Sequence, residues 1–596
     1  MRVASRMRPE RRSTQASAHL IDARRRTNWA TAGVRGGIPS RSTVYTTLSS
    51  SSSASDINTA IANCPAGQVV ALGTGTFALS AGLIFNGKSN VTLRGAGPSL
   101  TILDFAEGVS CAGLMCSIGV KSSTTSDTSA PTHTANWTAG YTKGATVVTL
   151  SNVTGLSVGQ LLMLDQENES ADTGDVWNNS TTATCYGGPA GGGRPTTPRR
   201  EQLQVVRVEA INGTDVTISP GLHMPNWRSG QNPGAWWNAD QVDGVGIEDL
   251  SIDNATAGDS GIIFMYAADC WVKNVRSMWG GRSHIWSWLT KNLTVRDSYC
   301  YEGNAHGSQS YGVELFMASD ALIENNIFDK VTASIIVNGP ASGSVIAYNY
   351  IYKSLYSSDD WLIPSHCNHA TGTGMMLVEG NDGSGWMGDS VHGPGFFITL
   401  FRNRFVGSQP GLTETAQTIP VHIYAFWRFI NVIGNVLGDN ATHDFYECVP
   451  ATNSTADGGA SRYFPVYCLG WSMNGGYKDA TTPNDTLVYA TLMRWGNYDT
   501  YHDDVRWESS EVPSALSTYP NAVPFGTALP TSMYLTSRPA WFGAAAWPPI
   551  GPDVTGGNVS GLGGHVNKIP ARLHFEACTQ DGARLLTNFN GNSYYA

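Results

Sequence analysis

Apolar and polar positions alternate in short bursts that recur at a fixed interval along much of the chain. From about residue 244 a phrase keeps returning: an apolar residue, one or two polar ones, Asn or Asp, then apolar again. It reads GIEDLSI, WVKNVRS, LTVRDSY, LIENNIF, VIAYNYI, LVEGNDG, TLFRNRF and VIGNVLG. The polar pivots are Asp249, Asn274, Asp297, Asn326, Asn349, Asn381, Asn403 and Asn435, separated by 25, 23, 29, 23, 32, 22 and 32 residues. One coil of a parallel β-solenoid needs an interval in the low twenties, and loops account for the excess. Period-two alternation within each phrase predicts short strands with one face buried. At each pivot the chain must leave the β region, which Asn tolerates, and stacked Asn side chains can satisfy one another along a tube. A helical reading fails because the phrases are short, β-branched and flanked by Gly, Asn and Ser.

An earlier coil sits at SNVTLRGAGPSLTIL (89–103). Before it, SASDINTAIANCPAGQVVALGTGTFAL reads as a short helix followed by the first strand. Ser55 is a candidate cap, and Ile57, Ala60 and Ile61 form an apolar stripe. Such a helix would plug the open end of the tube and cover an exposed strand edge. DINTAIANCPAGQVVALGTGTF and NVTLRGAG, followed by the asparagine ladder, resemble the pectate-lyase-like right-handed parallel β-helix superfamily over roughly residues 40–440. The resemblance implies an all-β fold, a right-handed parallel β-helix with an N-terminal capping helix. It implies a polysaccharide lyase or glycoside hydrolase less specifically, because the shared motifs belong to the scaffold.

The ladder is interrupted between about Phe105 and Asp243. There YTKGATVVTLSNVTGLSVGQLLMLDQEN and REQLQVVRVEAINGTDVTISP alternate with period two and turn at Asn-Gly-Thr, which predicts a small, separable antiparallel β insertion over 139–222. A Gly/Pro-rich loop between its halves carries Trp177 and Tyr186, either a surface elaboration or a wall of a substrate groove. The expected organisation is a basic, disordered segment over 1–40, the cap and first coils over 41–138, the insertion, the main coils over 223–440, and an irregular Trp/Pro/Gly-rich segment over 441–596 packed on the tube.

Composition narrows the function. The net charge is −10, which disfavours nucleic acid, since phosphate backbones need a basic stripe. No apolar run is long enough to span a membrane. The N-terminus is basic without the apolar core of a signal peptide. Ten cysteines nevertheless fit an exported protein, and Cys111 with Cys116, and Cys448 with Cys468, are close enough in sequence to pair. Secretion to the cell exterior or periplasm is therefore expected, with a polysaccharide as partner. The oligomeric state stays open.

On a solenoid, function concentrates in the longest loops, here within residues 297–435. Two carboxylates facing a sugar suffice for glycoside hydrolysis. The candidates are Asp360, Asp389, Glu314 and Glu379, with Asp360 and Asp389 as the expected pair and His366 or His392 tuning a pKa. Trp361, Trp386, Tyr311 and His306 are candidate substrate contacts, and so are Arg402 and Arg404, which share a face if their strand is regular. The stretch MLVEGNDGSGWMGDSVHG divides: MLVEGN reads as a rung, DGSGWMGDSVHG as a projecting loop. It has no Lys or Arg to neutralise a uronate, which favours hydrolysis slightly over elimination. A non-catalytic glycan-binding β-helix is the alternative from another class. No metal site is expected, because His366 and His369 fall on opposite faces of an extended chain. Asp-rich turns leave Ca²⁺ as the one cation to consider, and no cofactor is required.

Overall fold

In the computed structural model the described residues are 20–111, 113–123, 131–358, 360–454, 464–472, 482–513, 518–578 and 586–592. The recurring phrase is the rung of a right-handed parallel β-helix with three faces. The first face runs from Val69–Leu72 through Leu322–Glu324, Val345–Ala347 and Leu377–Glu379 to Met493–Trp495. The second follows each of these strands after a bend, and the two together form a 22-stranded sheet. The third is a 12-stranded sheet that includes Ser283–Trp288, Tyr311–Phe316, Ile335–Val337, His366–Ala370, Trp386–His392, Val421–Ile423 and Pro465–Leu469. Inward residues such as Ile323, Ile346, Val378, Leu400 and Val432 make one continuous core along the axis.

The bend between the first two faces carries the asparagine ladder. The Asn326 side-chain amide donates to Asn349 Oδ1 at 3.0 Å, Asn349 to Asn381 at 3.0 Å, Asn381 to Asn403 at 3.0 Å and Asn403 to Asn435 at 2.9 Å. Asn435 passes the series on to Asn497, 62 residues later, across an interruption that hid this last rung from the repeat. Each acceptor oxygen also takes a backbone N–H from the coil below, as Asn349 Oδ1 does from Asn326. The left-handed step belongs to the residue before the asparagine: Asn325, Tyr348 and Arg402 have φ of 56°, 55° and 53°. Asp249, Asn274 and Asp297 occupy that step too, at φ of 56°, 53° and 54°, rather than the ladder. Bonding from the next coil holds side chains as large as Tyr and Arg in a conformation costing roughly 1–2 kcal/mol.

The capping helix is Ala54–Asn63, with Ala54, Ile57, Ala60 and Ile61 buried. Its cap is Ser53 rather than Ser55, closing a capping box with Asp56. The insertion is larger than expected and closed on itself: six antiparallel strands between His133 and Trp237 form a barrel. Nor does it bud freely. Its Val206, Ile218, Met224 and Trp237 share a core with Met375, Phe396, Phe397 and Phe429 of the tube. Asp172 grips the buried Arg428 at 2.6 Å, opposite Asp485 at 2.8 Å.

The expectation of disorder through residue 40 needs correcting from Leu20 onward; residues 1–19 lie outside the described set. Leu20, Ile21 and Trp29 are buried against the first face, and the Trp29 indole donates to the Met375 carbonyl at 2.7 Å. The C-terminal segment covers the outside of the tube, with Tyr534 and Phe542 against the first face and Ile569 and Phe575 against the second. Among the described residues no helix is long and apolar enough to cross a membrane.

Candidate functional site

The outer surface of the third face gathers the chemistry. Strand register fixes it: Glu314 pairs with Ile336, Ile336 with Cys367, and Cys367 with Met387, which pairs with His422. Two residues further along, Asn338, His369 and Asp389 follow the same outward direction by period-two alternation. Inward residues between them belong to the core, which is where His366 and Trp386 sit. His366 packs 5.4 Å from Phe405, and burial pushes its pKa down to about 3. Trp386 is fully buried, edge-on to Trp427 and bonded to Asn368 at 3.2 Å. Neither can meet a substrate. The expected projecting loop is in fact the strand Trp386–His392, so alternation divides its residues between core and surface.

Asp389 is the centre of the outer surface. One carboxylate oxygen makes a very short bond with His369 Nδ1 and accepts from the Cys367 thiol at 3.4 Å; the other accepts from the Val391 N–H at 2.9 Å. Burial alone would raise the acid's pKa, but the imidazole beside it wins and holds it below the usual range. His369 is the mirror case: burial opposes its charge, yet Asp389 outweighs burial and raises its pKa. Only its outer edge reaches solvent, with 19% of the side chain exposed. His392 stands edge-on to His369 at 4.8 Å and bonds the Gly188 carbonyl at 2.7 Å. Burial and the charge on His369 keep it easier to deprotonate than a free histidine.

Glu314 lies on the same surface but is fully engaged. Arg282 grips it with two bonds, at 3.1 and 2.8 Å, and Ser283 and Asn338 add bonds at 2.6 and 2.9 Å. It stands three strands and two residues from Asp389, about 16 Å at the backbone. Tyr311 is buried beside it, and its pKa is raised by burial and by the Glu314 charge. Tyr424 borders Asp389 on the other side, stacked on His422 at 3.8 Å, and burial holds its hydroxyl firmly protonated.

The insertion supplies one wall. Tyr186 and Gly187 donate backbone N–H bonds to the Ser390 and Val391 carbonyls at 3.3 and 2.8 Å, tying the insertion to the strand that carries Asp389. Trp177 is held edge-on to Phe426 at 5.0 Å. The opposite rim comes from the loops after Lys353 and Phe405, where Trp361 packs on Tyr356 and bridges to Ala416. Asp360 is exposed there, accepting from Ser358 at 2.7 Å, so it is not joined to Asp389 as expected. His306 lies on the loop after Gly303, 3.4 Å from Glu302.

Three candidates belong elsewhere. Glu379 is on the first face under the C-terminal segment, accepting from Tyr348 and from the Met533 N–H, both at 2.8 Å. Arg402 takes the left-handed corner and is buried against Asp553 at 2.6 Å. Arg404 follows on the second face, bound to Asp382 at 2.5 Å. The corner at Arg402 breaks the strand, so the two arginines do not share a face. Sequence reasoning missed Arg282, Asn338, Tyr424 and the role of His369. Their signal is alternation counted from the ladder, and loops of unequal length between ladder and third face erase it.

Cys367, His369 and Asp389 place ligand atoms within 4.8 Å of one another, close enough for a cation. Within the chain, the Asp389 carboxylate already takes bonds from His369 Nδ1 and from the Cys367 thiol. For Ca²⁺ the set offers a single carboxylate, far short of the six to eight oxygens that ion takes.

No protein-family model and no curated protein sequence matches the chain. Solved structures do. The tailspike gp61 of Pseudomonas phage phi297 aligns over 63% of this chain and 56% of its own, at 11% identity and a TM-score of 0.44. The gp54 tailspike of Acinetobacter baumannii bacteriophage AP22, in complex with A. baumannii capsular saccharide, aligns over 75% and 77%, at 8% identity and 0.40. The A-module of the Azotobacter vinelandii mannuronan C-5 epimerase AlgE4 aligns over 66% and 87%, at 11% identity and 0.34. The chain spans little more than half the length of the Pseudomonas tailspikes it matches. The parallel β-helix itself is read from this chain's own strand pairing.

Proposed function

We propose that this protein cleaves an acidic polysaccharide laid across the third face, by elimination. One observation carries the reading: a hydrogen-bonded His369–Asp389 pair, its imidazole edge open to solvent, lies beside the protonated Tyr424. Asp389 orients His369 and fixes which ring nitrogen is free. That nitrogen removes the proton alpha to a uronate carboxylate, an electron pair moves into the new C=C bond, and the C–O bond to the next sugar breaks. Tyr424, kept protonated by burial, donates its proton to the departing oxygen. Further along the same face, the partly exposed Arg282 offers a cation to the carboxylates of a bound acidic chain.

Paired-carboxylate hydrolysis is less well supported here. It needs two acids roughly 5–10 Å apart, one free to act as nucleophile or base. Glu314 is tied by four bonds and stands three strands away. Saccharide-bearing and saccharide-modifying proteins among the solved structures of like fold agree with a glycan substrate without choosing the reaction.

The test is a panel of uronate-containing and neutral polysaccharides, assayed for reducing ends and for the ultraviolet absorbance of unsaturated uronates. Both signals should rise together, and His369→Ala should abolish both. Reducing ends without absorbance would mean hydrolysis. Binding without either would mean a glycan-binding module.

A further inference from the structure

Ten cysteines are present, and one pair, Cys111–Cys116, is bridged. Of the others, most have no cysteine in register. Cys300 pairs across strands with Ser277 and Phe328, and Cys367 with Ile336 and Met387. Cys448 and Cys468 are different. They face each other directly on the parallel strands Phe445–Cys448 and Pro465–Leu469, and their side chains meet in a small apolar cluster with Ile419 and Trp471. Neighbouring strands run about 4.7–4.9 Å apart, inside the 4.4–6.8 Å range of Cα separations that a disulfide spans.

We propose that Cys448 and Cys468 are a second, oxidisable pair whose disulfide staples the last strand of the third face. Among the described residues the strand Phe445–Cys448 is the sheet's edge, paired with Pro465–Leu469 alone. Side-chain bonds anchor it as well, among them Arg494 to Glu447 at 2.6 Å and Tyr446 to Glu511 at 2.6 Å. Cys468 is itself in register with His422, so the staple closes the end of the surface that carries the candidate site. The two thiols are not equivalent. Cys448 is slightly open and its pKa is lowered by its contact with Cys468, whereas Cys468 is sealed and its pKa is raised by burial.

Cys448 therefore attacks first. With a small-molecule disulfide such as oxidised glutathione as oxidant, its thiolate displaces one thiolate and forms a mixed disulfide. Cys468 then loses its proton, attacks the Cys448 sulfur and expels the second. Two protein thiols are oxidised and one glutathione disulfide is reduced to two thiols.

The experiment exposes the intact folded protein to oxidised glutathione, then denatures and alkylates it without reductant and maps the peptides by mass. The expected result is a linked Cys448–Cys468 peptide pair, so that two bridges among the ten cysteines leave six alkylated. A Cys448→Ser variant should lose the link and show Cys468 alkylated. Its thermal midpoint should no longer rise on oxidation, as the wild type's should by several degrees. Individually alkylated Cys448 and Cys468 in oxidised wild-type protein, or either one linked to a different cysteine, would overturn the proposal. Peptide mapping of the wild type decides this even if the variant folds poorly.

Discussion

Glu379 and Asp389 are both carboxylates sealed from solvent, and their surroundings drive them in opposite directions. Asp389 has an imidazole against it and stays ionised. Glu379 has neutral donors, and burial raises its pKa to about 7. Because its folded pKa lies above the unfolded value of 4.5, the native state binds the proton more tightly. The protein should therefore lose stability as pH rises from about 4.5 to 7, by about 3 kcal/mol from this group. Glu379→Gln keeps the shape and removes the titration. Urea unfolding at pH 5 and pH 8 should show the variant gaining on the wild type at the higher pH, and equal differences would mean that Glu379 is ionised throughout. At the site, Asp389→Asn should cut turnover by about 10²–10⁴. It should also move the acid limb of the kcat/KM profile to lower pH, because His369 loses the charge that raises its pKa. Near-wild-type activity with an unmoved profile would remove the pair from the mechanism.

At the scale of elements, the ladder and the insertion make contrasting claims on stability. Asn349 accepts two bonds from Asn326 and donates to the Ile323 carbonyl and to Asn381, all of them buried. Asn349→Leu strands these partners, each unmet buried group costing about 1–3 kcal/mol. A loss of about 3 kcal/mol or more in chemical denaturation is expected, and an unchanged midpoint would show a corner open to water. The insertion reads as separable by sequence because its hairpins alternate cleanly and its loops are polar. In the structure it cannot be lifted away. Deleting 133–237 would uncover Met375, Phe396, Phe397 and Phe429 and leave Arg428 without Asp172. Rejoined coils should be insoluble or protease-sensitive, and a soluble, cooperatively melting tube would show that the shared core is dispensable.

Across the whole molecule, the fold was legible because a solenoid writes its period into the chain. Each coil meets the same demands of an inward apolar alternation, a left-handed step and a stacked amide, so the pattern repeats where the geometry does. The ladder from Asn326 to Asn435 and the helix stripe of Ile57, Ala60 and Ile61 were readable for that reason. Four of the candidate residues, Glu314, Asp389, His392 and Tyr311, share the one surface. Their types and the loop lengths around them pointed there. Sequence could not say which of two adjacent residues faces outward, since register on the third face is set by pairing with the next coil across loops of unequal length. That pairing alone sent His366 and Trp386 into the core and His369 out to Asp389. It also put Glu379 and Arg402 beneath a C-terminal segment whose docking no local pattern announces. Periodicity is a local property that repetition makes visible; the meeting of side chains from different coils is settled only when the coils stack.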